Sequence, residues 1–396
     1  MRVIVLHSFY QQHGGEESSL AADLSLLESL GIEHDLFSEH NSAACAMTAM
    51  QLVLTTFWSV ETAQRLRRQL SLRTYDFAHV HNTFPVMSGA VYHVLKEFGL
   101  PVVQTLHNYR LVCANGLLFR DSHVCEDCVG RRVPLPMFYR GCYHRGIAAS
   151  ALVASQMLMH RSLGTYTNKI DTYLALTSFA REVFVRSGWE RDHILLRPNF
   201  IDPDPGVGDG QGDFALFVGR LSEEKGIPIL VDAWLRLGTK RKLRIIGDGP
   251  MRPFVEHVAL QNANIEYLGF RTRDEVLQYL KRATFLVFPS IWYEGMPMTI
   301  LESFAVGTPV LAFQLGGMSE MILDGRTGWL VGGRTAAALA DTIETVHAGQ
   351  SEAAPMRRAC RNEYLEKYSV QSARTSLEAA YRHAAARSAE RLGGRP

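Results

Sequence analysis

Tyr293 to Phe313 reads YEGMPMTILESFAVGTPVLAF, directly after the apolar run Phe285 to Pro289, FLVFP. The shorter run predicts a buried strand, and the longer one a loop that opens a short helix. Pro297 suits the first helical position because it has no N–H to lose, and Gly307 suits the end because it accepts a left-handed backbone. The free N–H groups of such a helix start face Gly295, Met296 and Pro297 and form an anion site. Glu294 precedes the helix and Glu302 falls about a turn and a half inside it. At about 1.5 Å per residue, Pro297 to Glu302 spans roughly 7 to 8 Å, near the length of a diphosphate. A ligand seated there offers ribose hydroxyls to one carboxylate and hexose hydroxyls to the other. The plainer alternative is a surface helix with two solvated carboxylates.

Around this junction, 396 residues are too many for one ordinary core, so two domains are expected. A hydrophobic content of 47%, a charged content of 20% and a net charge of +1 describe a soluble globular chain with no global attraction for nucleic acid. The start, MRVIVLH, enters a strand pattern without a signal segment, and no stretch approaches the ~20 apolar residues of a membrane span. A cytoplasmic enzyme, with or without contact to a membrane, is the class these bounds allow.

Arg2 to Leu6 predicts a strand, broken at His13-Gly14-Gly15-Glu16 before a helix over Ser18 to Leu30 that Gly31 ends. The glycine pair lets backbone approach a phosphate, or serves as a plain tight turn. Further strands end at FAHVH (77–81) and VVQTL (102–106), so His13, His81 and His107 fall beyond carboxyl ends of strands, where open α/β sheets bind ligands. A hydrogen-bonded loop residue is the bland reading of each. Trp58 to Arg73 predicts an amphipathic helix carrying Arg65, Arg67, Arg68 and Arg73. Arg131, Arg132, Arg140, Arg145 and Arg161 extend a basic patch that suits an anionic lipid surface or a lipid-diphosphate acceptor, or is merely a solvated face.

Four of the six cysteines, Cys113, Cys125, Cys128 and Cys142, share one window. They suit a structural zinc on thiolates that pins an irregular loop, with free thiols as the alternative. Gly146 to Leu163 predicts a buried helix. Ile201 to Gly212, IDPDPGVGDGQG, marks the domain boundary. Beyond it, strand and helix alternate again from ALFV (215–218), followed by Gly219 to Gly226 with Arg220 and Lys225. Regular alternation on both sides argues two doubly wound domains with a cleft between them. Arg220 and Lys225 are placed to neutralise a diphosphate and stabilise it as a leaving group. Neither half opens with G-x-G-x-x-G, which disfavours a dehydrogenase.

VGRLSEEKGI, EGMPMTILE and SFAVGTPVLAFQLGGMSEMILDGRTGWLV together resemble the donor domain of retaining glycosyltransferase family 4. HGGEE, TLHNYR and RPNFID match more loosely, and the cysteine window is similar to that of certain bacterial members. The resemblance implies the GT-B fold: an acceptor-side Rossmann-like domain over 1–199 with a cysteine-rich insertion at 113–142, a linker over 200–212, and a donor domain over 213–369. It also implies a helix from 370 that crosses back to the first domain, and the tail SAERLGGRP reads as frayed. It further implies a UDP- or GDP-linked sugar donor, a saccharide or lipid-linked acceptor, retention of configuration and no catalytic metal. Arg220 and Lys225 would hold the diphosphate, Glu302 the ribose, and Glu294 with Gly295, Met296 and Pro297 the sugar. Gly14 and Gly15 would lie against the donor, His107 near the reacting centre, and Gly269 and Phe270 beside the base. A frontal attack is the favoured route. A nucleotide-sugar epimerase and a non-catalytic sugar-nucleotide-binding subunit are the competing readings.

Overall fold

The computed structural model describes residues 1–10, 14–348 and 353–393, so His13 lies outside the described residues. The chain packs as two compact units. The first comprises Met1–Gly116, Glu126–Pro198 and Ala373–Pro396, and the second Leu117–Cys125 and Asn199–Ser372. The cysteine window is therefore shared out: Cys125 belongs to the second unit's stretch, and Cys113, Cys128 and Cys142 to the first.

The first unit holds a six-stranded parallel sheet. Its strands are β1 (Arg2–Phe9), β2 (Glu33–His40), β3 (Phe77–Asn82), β4 (Val102–Leu106), β5 (Thr172–Ala175) and β6 (Ile194–Leu196), in the order β2-β1-β3-β4-β5-β6. The runs VIVL and VVQTL are buried throughout, as strands covered on both faces must be. β2, EHDLFSEH, buries only Phe37 and forms the sheet edge, so it carries too little apolar periodicity to announce itself. Helix α1 (Gly15–Ser29) starts three residues earlier than expected, because Gly14 is the cap and Glu17 reaches back 2.8 Å to accept from its N–H. Helix α2 (Val60–Leu72) packs beside this sheet. Helix α3 (Ile147–Ser162) buries Val153, Ala154, Met157 and His160 but leaves Ile147 61% exposed, so it is one-sided rather than wholly buried.

In the second unit the strands are β7 (Phe214–Val218), β8 (Lys242–Ile246), β9 (Ile265–Gly269), β10 (Phe285–Phe288), β11 (Val310–Phe313) and β12 (Gly328–Val331). They run parallel in the order β9-β8-β7-β10-β11-β12, so the order reverses between β7 and β10. Helix α4 (Ile227–Leu237) covers one face, with Trp234 fully buried among Phe217, Phe285 and Phe313. The Pro/Gly/Asp-rich stretch is laid along this unit by backbone bonds. Gly208, Gly210 and Gly212 donate to the carbonyls of Val306, Lys281 and Arg282 at 2.9, 2.9 and 2.7 Å.

Helix α5 (Arg273–Arg282) begins on a Thr272/Glu275 capping box, and α6 (Met298–Ala305) follows β10. The last helix, α7 (Val370–Gly393), buries Leu377, Ala380, Tyr381 and Ala384, the spacing of one helical stripe, and Tyr381 stacks on Phe77 at 4.8 Å within the first unit. The tail expected to fray is helical as far as Gly393, and 394–396 lie outside the described residues. Arg391 accounts for the extension: it donates to the Asn168 carbonyl at 2.6 Å and pairs with buried Asp171 at 3.3 Å.

Candidate functional site

Ligands of doubly wound sheets bind where the strand order reverses, beyond the carboxyl ends of the strands. In the second unit that point lies between β7 and β10. The loop after β7 carries Arg220 and Lys225, and the loop after β10 carries Glu294. Gly226 joins the two loops, since with φ +74° it sits where a Cβ would come 2.0 Å from the Pro289 carbonyl oxygen, and only glycine fits. The Ile291 N–H donates to the Glu224 carbonyl at 3.0 Å and fixes their register.

Three donors then converge on one oxygen of Glu294, which is 5% exposed. Lys225 Nζ lies 2.7 Å from Oε1, Trp292 Nε1 lies 2.8 Å from it, and Ser290 Oγ donates to the same atom. The Lys225 ammonium also sits 5.4 Å from the ring centres of both Phe288 and Trp292. Glu294 is thus held by one edge, with Oε2 taking no hydrogen bond among the described residues. Arg220 is exposed and makes no ion pair among the described residues, which leaves its guanidinium available to an anion.

α6 starts one residue later than the sequence suggests. Pro297 has an extended backbone (ψ 118°) and is the N-cap, and no side chain caps the helix. The consequence for anion binding is unchanged, because Pro297 has no N–H in either position. Met296 is buried, its sulfur accepting from the Asn199 N–H at 3.2 Å. Gly307 ends the helix with φ +76°. Glu302 is 8% exposed, and Arg273 Nε donates to its Oε1 at 3.0 Å. Burial raises the Glu302 carboxyl above its ordinary range, with Arg273 opposing. Arg273 is a site neighbour that sequence reasoning missed, and the Thr272-x-x-Glu275 signature placing it at a helix start was the available signal. Gly269 ends β9 with φ +73°, and Phe270 beside it is 73% exposed, an open aromatic face.

In the first unit, Gly14 and Gly15 are exposed at the start of α1. Glu16 beside them is pushed up to about 8 by burial, with the Glu17 charge adding, and Asn108 Nδ2 lies 3.4 Å from its Oε2. His107, just past β4, is half-buried. Its Nε2 is 2.9 Å from His81 Nδ1, with the ring planes 19° apart and the ring centres separated by 5.1 Å. Behind them, His81 Nε2 is 3.7 Å from Asp23 Oδ2, and Arg197 donates to both oxygens of Asp23, one bond measuring 3.0 Å. His79 lies between Thr105 Oγ1 (2.9 Å) and Tyr381 OH (3.2 Å). Burial lowers His79 to about 4 and His107 to about 3, and holds His81 well below its ordinary value. Ligand atoms of Asp23, His79 and His81 come within 4.8 Å of one another. Arg197 occupies both Asp23 oxygens and His79 has both nitrogens engaged, so the group is a hydrogen-bonded network rather than a cation cage.

Cys128 and Cys142 border one apolar cluster of Ala114, Met137, Val153, Ala154 and Met157, and Cys113 Sγ lies 3.0 Å from Asn115 Oδ1. The basic patch is smaller than its arginine count. Arg65 pairs with Glu39 (2.6 Å), Arg67 with Glu97 (2.7 Å), Arg73 with Asp35 (3.1 Å) and Arg140 with Asp127. Arg131, Arg132 and Arg145 are exposed and make no ion pair among the described residues. They share their segment with Val133, Leu135 and Tyr139, exposed at 50%, 58% and 59%. No helix among the described residues is long and apolar enough to cross a membrane.

Residues 213–348 match the family model described as Glycosyl transferases group 1. An uncharacterised glycosyltransferase of Methanocaldococcus jannaschii is 38% identical over 275 residues, covering 66% of this chain and 75% of that protein. The amylovoran biosynthesis glycosyltransferase of Erwinia amylovora is 30% identical over 158 residues, 37% of this chain and 39% of that one. Among solved structures, Anabaena HepE in complex with UDP-glucose superposes with a TM-score of 0.65 at 16% identity, covering 96% of this chain and 99% of that one.

Proposed function

The chain belongs to the Glycosyl transferases group 1 family and has a GT-B fold, and we propose that it moves a hexose-type sugar from a nucleotide diphosphate to a saccharide or lipid-linked acceptor with retained anomeric configuration. The observation that carries this reading is the convergence of Lys225, Ser290 and Trp292 on Glu294 Oε1 at the reversal of strand order, beside the uncapped start of α6. A diphosphate at that helix start meets its N–H groups, Lys225 and Arg220, which makes no ion pair among the described residues, while Glu294 Oε2 is left for a sugar hydroxyl. The ribose falls to Glu302 and the base to the segment of Gly269 and Phe270. Support for a uridine nucleotide comes from HepE, solved with UDP-glucose, and support for a polysaccharide product from the amylovoran enzyme.

In the reaction, the bond from the anomeric carbon to the diphosphate breaks and the acceptor oxygen bonds to that carbon on the same face. The departing diphosphate keeps the electron pair and takes the acceptor's proton. Arg220, Lys225 and the helix start stabilise its charge, which calls for no catalytic metal. Preorganised donors of this kind are commonly worth about 3 kcal/mol each.

In the first unit, Gly14 and Gly15 are assigned to donor binding and His107 to catalysis. The cysteine loop, with Cys113, Cys125, Cys128 and Cys142, is assigned a structural zinc on the Cys-x2-Cys spacing of its sequence. Arg131, Arg132 and Arg145 with their apolar neighbours suit work on the anionic inner face of a membrane.

A thermal-shift screen of UDP- and GDP-sugars, followed by nucleotide release with and without acceptor, tests the reading. A ligand that binds the folded protein raises its melting temperature. No shift with any sugar nucleotide would refute the proposal, and conversion of the sugar without acceptor would identify an epimerase instead.

A further inference from the structure

The network behind His107 contains a decision about one proton. His81 faces Asp23 with Nε2 and His107 with Nδ1. A neutral imidazole has one N–H and one bare nitrogen, so whichever nitrogen of His81 carries the proton dictates what His107 presents in return. Asp23 is met on both oxygens by Arg197, a group that stays charged, and the pair is fully enclosed, with side chains 3% exposed on both partners. A lone pair of His81 directed at that carboxylate would be repelled, whereas an N–H is attracted. His81 Nε2 makes no hydrogen bond among the described residues and has the Asp23 carboxylate at 3.7 Å, while His79 is engaged by Thr105 and Tyr381.

We propose that Asp23, through His81, is a positioning residue that fixes His107 as the Nε2–H tautomer, leaving His107 Nδ1 as a bare acceptor. Nδ1 makes no hydrogen bond among the described residues. His107 therefore receives a hydroxyl hydrogen from the sugar or the acceptor and has none to donate. Burial keeps all three rings neutral, so the choice is between tautomers and not between charge states. The acceptor role of His107 toward a substrate hydroxyl rests on the proposed placement of His107 at the reacting centre, whereas the tautomer rests on the Asp23–His81–His107 geometry alone.

The test is nitrogen NMR of the full-length protein labelled with 15N-histidine, with His107 identified by the signals lost in His107→Gln. In the native protein we expect the His107 proton on Nε2, and a proton on Nδ1 would overturn the proposal. Asp23→Asn keeps the shape: with the amide oxygen retained on the Arg197 nitrogen that now bonds Oδ1, the amide N–H2 takes the Oδ2 position and faces His81. The His107 proton should then move to Nδ1, and turnover should fall by about tenfold or more with KM changed less than about threefold, as expected for a wrong tautomer. An unmoved proton in a folded Asp23→Asn variant would also overturn it. Should that variant fail to fold, the native spectrum alone decides. If UDP- and GDP-sugars leave the His107 signals unshifted, the placement of His107 at the reacting centre fails, while the tautomer assignment is still read directly.

Discussion

Lys225 Nζ lies 2.7 Å from Glu294 Oε1, although 69 residues and three strands of the sheet separate them in sequence. The cation and the carboxylate hold each other directly, so neither must be gathered when a ligand arrives. Lys225→Ala is expected to lower turnover at least about tenfold, a loss of roughly 1.4 kcal/mol or more in transition-state stabilisation. Ser290 and Trp292 keep Glu294 bonded, so the melting temperature should move by only a few degrees. Nucleotide release and a melting curve on the same preparation check both halves.

Glu302 is raised by burial, which gives its removal a pH signature. A carboxyl whose folded pKa exceeds its unfolded value contributes stability at low pH and loses it as pH rises through the folded value. Glu302→Gln should therefore gain melting temperature relative to wild type between pH 4 and pH 7, while turnover falls about tenfold or more. A relative loss over that range would contradict the burial argument.

The histidines of the first unit act in the opposite direction. His7 and His79 are lowered to about 4 and His107 to about 3, so the folded unit refuses protons that the unfolded chain accepts near 6.5. Their contribution is present above 6.5 and fades as pH falls toward 4. Melting curves from pH 7 to pH 5 should show a falling midpoint, less steep in His79→Gln.

Purified protein is expected to carry about one zinc per chain on thiolates of the cysteine loop. Elemental analysis checks this, together with thiol titration before and after chelation. Zinc-free protein with all thiols reactive would remove the assignment.

Vesicles of phosphatidylcholine with phosphatidylglycerol should sediment the protein, and pure phosphatidylcholine should not. The triple change of Arg131, Arg132 and Arg145 to Glu should abolish sedimentation, since each basic residue near such a surface is worth about 1 kcal/mol. Changing Arg65, Arg67 and Arg73, already paired with acids, should do much less.

The second unit was the more legible half, because its signals are local. The FLVF run, Pro297 at the helix start, Gly307 after its end and Gly226 before α4 each specify their own few residues. What brought Lys225 to Glu294 is the order of strands, which periodicity does not encode. The first unit was harder to read for the same reason. Asp23 is one acid within a helix, Arg197 one base 174 residues later, and nothing near either announces their bond. β2 escaped notice because an edge strand needs only one buried side chain. The basic patch was overestimated because Glu39, Glu97 and Asp35, which neutralise it, come from distant elements. Arg273 was obscured because a helix start seen in sequence does not say which neighbouring helix it faces.

The position of α7 bears on how the molecule is made. Leu377, Ala380, Tyr381 and Ala384 lie in the interior of a unit whose other parts end at Pro198. On the ribosome, the earlier-begun unit must wait with one flank of its sheet uncovered while the whole of Asn199–Ser372 is synthesised, and it closes only when the last helix emerges. A premature stop anywhere before residue 373 would thus cripple the half of the protein that was translated first.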